Sequence, residues 1–325
     1  MNRILFERDE IHDGIATFGG VRAEHVLEVL HGEVGQILKT GEINGLIGTG
    51  EIVAIADASG ARDIHRQSRR EAVARVVRAQ YGVDEQQFRT GRALAPRMVT
   101  VALHHTQPSL QPWGDLILAP PRPRVMKRLL PQLATMGVGR NFLVGAKKVE
   151  KDFWGATLLK EENYRPLLIE GLMQGGTSIL PTLETRRNFR RFVTDELDAL
   201  FPTSRRIVAH PYAAGAACAF RPAAETLAGA RGRAPYEMVA RHFHTVSTLH
   251  PAPSTLHQAP CTLHPAPGTR HLLPRLLLAI GPEGGWTDDE VELLEAHGFS
   301  RYSLGSRILR TDTAMIALLA KLNDE

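Results

Sequence analysis

The stretch Leu277-Leu-Ala-Ile-Gly281-Pro-Glu-Gly-Gly285-Trp-Thr-Asp-Asp-Glu290 decides the fold of this chain. The apolar run from Leu276 to Ile280 shows no polar alternation, as expected of a strand buried on both faces. It ends in a turn carrying Gly281, Gly284 and Gly285, where glycine admits positive φ and lets backbone N–H groups come close to a ligand. Thr287 and Glu290 stand at capping-box spacing and open a helix predicted over 287–297. Buried strand, glycine turn and helix start form the repeating unit of a parallel α/β sheet, whose ligands bind beyond the carboxyl ends of the strands. The glycine spacing is not G-x-G-x-x-G, and no G-x-x-x-x-G-K-S/T occurs in the chain, so neither a dinucleotide fingerprint nor a phosphate loop is present.

About twenty residues on, Tyr302-Ser-Leu-Gly-Ser-Arg-Ile-Leu-Arg-Thr-Asp-Thr-Ala314 repeats the unit, with two arginines and two threonines at its turn. Two such turns on neighbouring strands make one pocket. Working back toward the N-terminus, short strands are expected at 116–118, 142–144, 179–180, 206–209, 276–280 and 302–304. Helices are expected after Pro121, through most of 153–173, and over 189–200, 287–297 and 311–322. Residues 1–58 have a different texture, with brief apolar stretches divided by Gly32, Gly35, Gly41, Gly45, Gly48 and Gly50, the pattern of a small β barrel. A short helix is expected around 22–30, and residues 104–113 read as a linker.

Two segments fall outside these domains. Arg62 to Arg97 holds nine arginines among few apolar residues and reads as a basic insertion, either a solvated surface or a contact for a polyanion. Thr248-Leu-His-Pro-Ala-Pro-Ser254 is the first of three consecutive seven-residue units, and the prolines exclude a heptad helix, so about 245–270 is expected to be an extended, disordered insertion. The histidines of that repeat, His250, His257 and His264, match no common zinc spacing, and no metal is expected. Cys218 and Cys261, the only cysteines, cannot form a disulfide framework.

The 325 residues are 43% hydrophobic and 23% charged, an ordinary balance for a folded soluble protein of about two domains. No apolar run approaches the roughly 18 to 20 residues that cross a bilayer. The N-terminus alternates charged with apolar side chains from the start, so a cytoplasmic location is expected, or an organellar one if a transit peptide is missing. The net charge of +4 is mild, but only seven of 39 basic residues are lysine. Arginine's planar fork suits phosphates and base edges, which raises nucleic acid as a partner.

Ile280-Gly-Pro-Glu-Gly-Gly285 followed by Leu304-Gly-Ser-Arg-Ile-Leu-Arg-Thr-Asp-Thr-Ala314 resembles the RsmE-type 16S rRNA uridine N3-methyltransferases of the SPOUT superfamily. Pro121-Arg-Pro-Arg-Val-Met-Lys-Arg-Leu-Leu130, Met136-Gly-Val138, Val149-Glu-Lys-Asp-Phe-Trp154 and Ala209-His-Pro211 support the match. The resemblance spans nearly the whole chain outside 62–97 and about 213–273. It implies an α/β fold with a C-terminal SPOUT trefoil-knotted parallel sheet, helices on both faces, over 114–325. It also implies an N-terminal PUA-like RNA-binding β-barrel domain over 1–108. The implied activity is methylation of N3 of one uridine, position 1498, in 16S rRNA of the small ribosomal subunit, by a homodimer using S-adenosyl-L-methionine.

Carried over residue by residue, the cofactor site comprises His210 and Pro211, then Ile280, Gly281, Pro282, Glu283, Gly284 and Gly285, then Leu304, Gly305, Ile308, Leu309, Arg310, Thr311, Thr313 and Ala314. Arg310, with Arg307 as second choice, is expected to stabilise a developing uracil anion, because a fixed guanidinium donates to a carbonyl oxygen that gains charge. Glu283 and Asp312 are the general-base candidates, and each has the alternative role of holding its loop through backbone N–H groups. Arg3, Arg22, His25, Lys127 and Arg128 are expected to contact RNA. The chain departs from the family pattern at Met173-Gln-Gly-Gly-Thr177, where a glutamate and an arginine are missing, and at Asp312, which replaces a glutamate. A knotted methyltransferase acting on another RNA such as tRNA, and a non-catalytic ribosome-assembly protein, are the alternative readings.

Overall fold

The computed structural model describes residues 3–57, 60–62, 97–211 and 275–323. The arginine-rich segment within 62–97, the seven-residue repeats and both cysteines lie outside the described residues.

Two sheets make up the fold. The first contains β1 (Ile4–Phe6), β2 (Ile11–His12), β3 (Ile15–Phe18), β4 (Ile37–Glu42), β5 (Ile47–Asp57), β6 (Gly60–Arg62) and β7 (Met98–Gln107). Their order is β1-β4-β5-β7-β3-β2, with β6 on β5, and only the β1–β4 pair is parallel. The expected barrel is thus a curled half-barrel, since no pairing joins β1 to β2 among the described residues. Ile4, Phe6, Phe18, Val26, Ile52, Val99 and Val101 fill its concave side. Residues 104–107, expected in a linker, continue β7, because Gly48 lets the two chains meet: a Cβ there would fall 2.0 Å from the His104 carbonyl oxygen.

The second sheet is entirely parallel: β8 (Gly114–Leu118), β9 (Val138–Val144), β10 (Thr182–Arg186), β11 (Arg205–Ala209), β12 (Leu276–Ile280) and β13 (Ser300–Tyr302), in the order β10-β9-β8-β12-β11-β13. The decisive stretch is its central strand. Leu276, Leu278 and Ile280 point to one face, with Leu129, Leu133, Leu172 and Leu318 from helices Pro123–Thr135, Glu161–Gly175 and Thr311–Asn323. Leu277 and Ala279 point to the other, with Phe189, Phe192, Val291 and Leu294 from the helical segment 189–200 and helix Asp288–Ala296. Each fully buried leucine or phenylalanine contributes roughly 1.5–3 kcal/mol, so the unbroken apolar run is what a strand between two helical layers requires. The connection from β11 to β12, residues 212–274, lies outside the described residues.

Several element boundaries differ from the sequence reading, and three of the differences have a visible cause. The strand expected at 179–180 is Thr182–Arg186, because the Leu180 N–H is taken by the Asn44 side chain (2.8 Å). The strand expected at 302–304 is Ser300–Tyr302, because the Ser303 hydroxyl donates to the Gly305 carbonyl (3.0 Å) and turns the chain. The region 153–173 breaks into 3-10 turns at Lys151–Gly155 and Thr157–Leu159 before helix Glu161–Gly175, which Gly176 ends in the left-handed region at φ 74°.

Candidate active site

Parallel pairing brings the carboxyl ends of β13, β11, β12 and β8 to one edge. Ala209 is level with Tyr302, and Ile280 with Leu118. The loops leaving these strands carry His210 and Pro211, the glycine turn 281–285, and 303–310. The His210 N–H donates to the Tyr302 carbonyl (3.1 Å), which holds the first loop against the third. The residues expected to bind a cofactor therefore leave three adjacent strands.

The glycine turn is closely built. Its Gly285 N–H donates to the Pro282 carbonyl (2.8 Å), and Gly285 adopts φ 69°. A Cβ on Gly281 would stand 3.0 Å from the Trp286 backbone nitrogen, so a side chain there would crowd the turn. Ile280, Gly281 and Pro282 are buried, while Glu283 and Gly284 face solvent. The capping interaction read from the sequence has a further use. Glu290 accepts from the Thr287 N–H (2.9 Å) and from the Lys147 N–H (2.7 Å), tying the loop after β9 to the turn after β12. Lys148 adds a bond to the Gly284 carbonyl (2.8 Å). A cleft of about 310 Å³ opens beside these groups, lined among others by Pro121, Arg122, Lys148, Phe153 and Glu283.

The loop 303–310 leads into the last helix, where the Ala314 N–H donates to the Arg310 carbonyl (2.8 Å). Gly305 stands at φ 127°. Arg307, Ile308, Leu309 and Arg310 all face solvent, Ile308 at 87% exposure, whereas Thr311 is buried. Thr313 is exposed and Ala314 half-buried. Leu304 packs partly against the core beneath. Asp312 is ion-paired with Arg128 (3.2 Å), and Glu283 faces Arg122 (3.4 Å). The bond from Arg122 to Glu150, with Glu283 alongside, raises the Arg122 pKa above its ordinary value. Both general-base candidates are thus matched to arginines, Arg122 just before helix Pro123–Thr135 and Arg128 within it.

The residues expected to contact RNA divide into two groups. Lys127 and Arg128 face solvent on the helix that borders the site. Arg3 and Arg22 instead turn inward. Arg3 donates to the carbonyls of Thr40 (2.6 Å), Gly48 (3.0 Å) and Gly176 (3.0 Å), and Arg22 to the Leu5 carbonyl (2.9 Å) and Glu10, over the rings of Phe6 and Phe18. His25 buries its Nε2 without a hydrogen-bond partner among the described residues. Sequence reading missed Lys148, Arg122 and the second role of Glu290, since their partners lie far away along the chain.

The parallel sheet with these loops at its carboxyl edge is the domain of an RNA methyltransferase. The model of the family described as "RNA methyltransferase domain" matches residues 110–230 and 249–323, more than half of the chain, and the chain belongs to that family. Within it the chain is a member of the RsmE family of ribosomal RNA methyltransferases. Ribosomal RNA small subunit methyltransferase E of Treponema pallidum is 25% identical over 322 residues, covering 98% of this chain and 90% of that protein. The Synechocystis protein of the same name is 55% identical over 49 residues, 15% of this chain and 16% of its own length. Among solved structures, ribosomal RNA small subunit methyltransferase E from Neisseria gonorrhoeae, bound to S-adenosyl methionine, superposes with a TM-score of 0.55 at 14% identity, covering 100% of this chain and 97% of that one. A Legionella pneumophila methyltransferase in complex with the same cofactor gives a TM-score of 0.55 at 19% identity, covering 99% and 97%. No helix among the described residues is long and apolar enough to cross a membrane.

Proposed function

We propose that this protein methylates N3 of a single uridine, position 1498 by family resemblance, in 16S rRNA of the small ribosomal subunit, using S-adenosylmethionine. The observation that carries the reading is the convergence of three loops, 210–211, 281–285 and 303–310, at adjacent carboxyl ends with Arg307 and Arg310 on the rim. The glycine cradle fits the cofactor, since side chains at Gly281 or Gly284 would fill it: a Cβ at Gly284 would lie 3.0 Å from the Lys148 side chain. When bound there, the cofactor supplies an electrophilic methyl group on a sulfonium sulfur. His210, Pro211, Ile280 to Gly285, Leu304, Gly305, Ile308, Leu309, Arg310, Thr311, Thr313 and Ala314 would hold it.

N3 of uracil is an imide nitrogen that keeps its proton at neutral pH, so the chain must accept that proton and stabilise the charge left on the ring. Glu283 and Asp312 are the carboxylates of the site that can accept it. Arg310, with Arg307, donates to the uracil carbonyl oxygen on which charge develops. Holding base and methyl donor in line supplies about 7–11 kcal/mol of the barrier reduction. The uridine leaves its stack to enter the site. Lys127 and Arg128 supply phosphate contacts, residues 1–108 act as the RNA-binding domain, and 114–325 carry the reaction. The exposed Ile308, Leu309 and Ile316 fit an apolar face covered by a second copy in a homodimer.

The test is incubation with labelled S-adenosylmethionine and unmodified small subunits, followed by mass spectrometry of the labelled nucleoside. The expected product is 3-methyluridine, with Arg310→Ala lowering turnover at least 100-fold. Transfer to tRNA alone, or no cofactor binding, overturns the reading.

A further inference from the structure

The loop after β9 borders two clefts at once. Lys148 bonds to the glycine turn, while Lys147 lines a separate cleft of about 300 Å³ beyond the carboxyl ends of β9 and β10. The floor of this second cleft is apolar, made by Leu293 and by Phe189, which is buried and packs on Trp286 with ring centroids 5.1 Å apart. Its rim carries Lys147, Arg187 and Arg190, all facing solvent. Gly145 brings the two loops into contact, since a Cβ there would fall 1.9 Å from the Arg187 carbonyl oxygen.

Of the cations at this rim, Lys147 is paired with Asp289, which also feels the charge of Arg190, while Arg187 and Arg190 form no ion pair of their own among the described residues. Glu290 lines the cleft, but its two oxygens are committed to the N–H groups of Lys147 and Thr287. Arg187 makes one long bond to the Trp154 carbonyl (3.4 Å) and lies 5.7 Å from that ring's centroid. Arg190 has no hydrogen bond or ion pair among the described residues. Because β10, β9 and β8 are neighbours, Arg187 and Arg190, then Lys147 and Lys148, then Arg122 stand in a file that ends at the glycine turn, with Lys147 and Arg122 paired to carboxylates and Arg187, Arg190 and Lys148 free of them among the described residues. A ligand with one negative charge per repeat matches a file of this kind, and an apolar floor strengthens the attraction by excluding water from one side.

We infer that the Lys147–Arg187–Arg190 cleft binds a backbone phosphate of the RNA substrate, beside the nucleotide that enters the active site. The inference rests on the RNA-methyltransferase reading and adds to it a contact outside the methyl-transfer loops. Its chemistry is that of guanidinium on phosphodiester, which gives affinity and register without reading a base.

The experiment compares wild type, Arg187→Ala/Arg190→Ala and Arg187→Lys/Arg190→Lys. Binding of a fluorescent single-stranded RNA from the small-subunit sequence is measured across a salt series, alongside methyl transfer to small subunits and cofactor binding by calorimetry. Loss of this phosphate contact is expected to weaken RNA binding on the order of tenfold and to reduce the slope of log affinity against log salt by about 0.7. KM for the subunit rises with kcat kept, cofactor affinity stays at the wild-type value, and the lysine pair restores most of the salt slope. An alanine pair that binds RNA with wild-type affinity and slope overturns the inference. So does competition by inorganic phosphate at this cleft with RNA binding indifferent to both arginines, which marks a free-phosphate site. If the double variant fails to fold, Arg190→Ala alone carries the test. A wild type that transfers no methyl group defeats the functional reading, whereas the salt slopes still decide the phosphate contact.

Discussion

Gly171 shows how much one hydrogen atom in place of a side chain contributes to this molecule. It lies in helix Glu161–Gly175 where that helix crosses Pro123–Thr135, and a Cβ would fall 2.0 Å from the Pro131 carbonyl oxygen. The Thr135 hydroxyl stands 2.9 Å from the same carbonyl and 3.0 Å from that of Gly171, so the crossing is bonded as well as packed. Pro131, inside its helix, has no N–H to give, and the close approach provides contacts in compensation. Gly171→Ala forces the helices apart and is expected to cost about 1–3 kcal/mol, read as a melting temperature several degrees lower. An unchanged melting temperature would show that the crossing has slack. Nothing in the sequence around Gly171 marks it as different from the many other glycines, because the atom that excludes a Cβ belongs to another helix.

At the scale of elements, ion pairs tie the edge of the parallel sheet to its helices. Arg301 on β13 donates twice to Glu295 in helix Asp288–Ala296 (2.7 and 2.8 Å). Asp198 receives Arg206 of β11 and His297, the latter at 2.8 Å. Hydrogen bonds from Arg301 and from Arg206, the second reinforced by His297, hold the Glu295 and Asp198 carboxyls below their ordinary values. A carboxyl whose pKa is lowered by folding adds stability that is complete above its unfolded value, and this is lost as pH falls through the folded one. The loss is therefore expected below about pH 4, not near neutrality. Both carboxylates face solvent, so each pair is worth roughly 0.2–1 kcal/mol. Urea midpoints for wild type and Arg301→Ala should differ at pH 7 and converge toward pH 3. A difference that stays constant across that range counts against the pairing. The strands and helices themselves were legible from apolar runs, glycine turns and the Thr287–Glu290 spacing. The misplaced ends at 180 and 303 were not, because side-chain bonds from Asn44 and Ser303 stop the ladder there.

Across the whole molecule, the two sheets are joined through residues 173–180. Met173 and Gly176 offer carbonyls to the Arg3 N–H and guanidinium (both 3.0 Å). Ser178 receives the Asn44 N–H (2.8 Å) at its carbonyl, donates its hydroxyl to the Gly45 carbonyl (2.7 Å), and its own N–H reaches the Ser109 hydroxyl (2.9 Å). Asn44 sits in the left-handed region at φ 59° and accepts from the Leu180 N–H. Asn44→Ala therefore loses a hydrogen bond and strains the backbone, an expected cost of about 2 kcal/mol. Asn44→Gly loses the bond alone and is expected to cost about half as much, both read from denaturant midpoints. Equal costs would remove the backbone argument.

The sequence by itself determined the parallel sheet, its central strand, the two glycine turns and the family to which they belong, because apolar periodicity and turn chemistry are local properties of the chain. Only the tertiary structure decided that Arg3 and Arg22 serve the fold rather than face outward, that Glu290 joins two loops, and that Lys147, Arg187 and Arg190 border one cleft. Those assignments depend on partners brought together by strand order, and strand order is set by long-range packing that no window of the sequence contains.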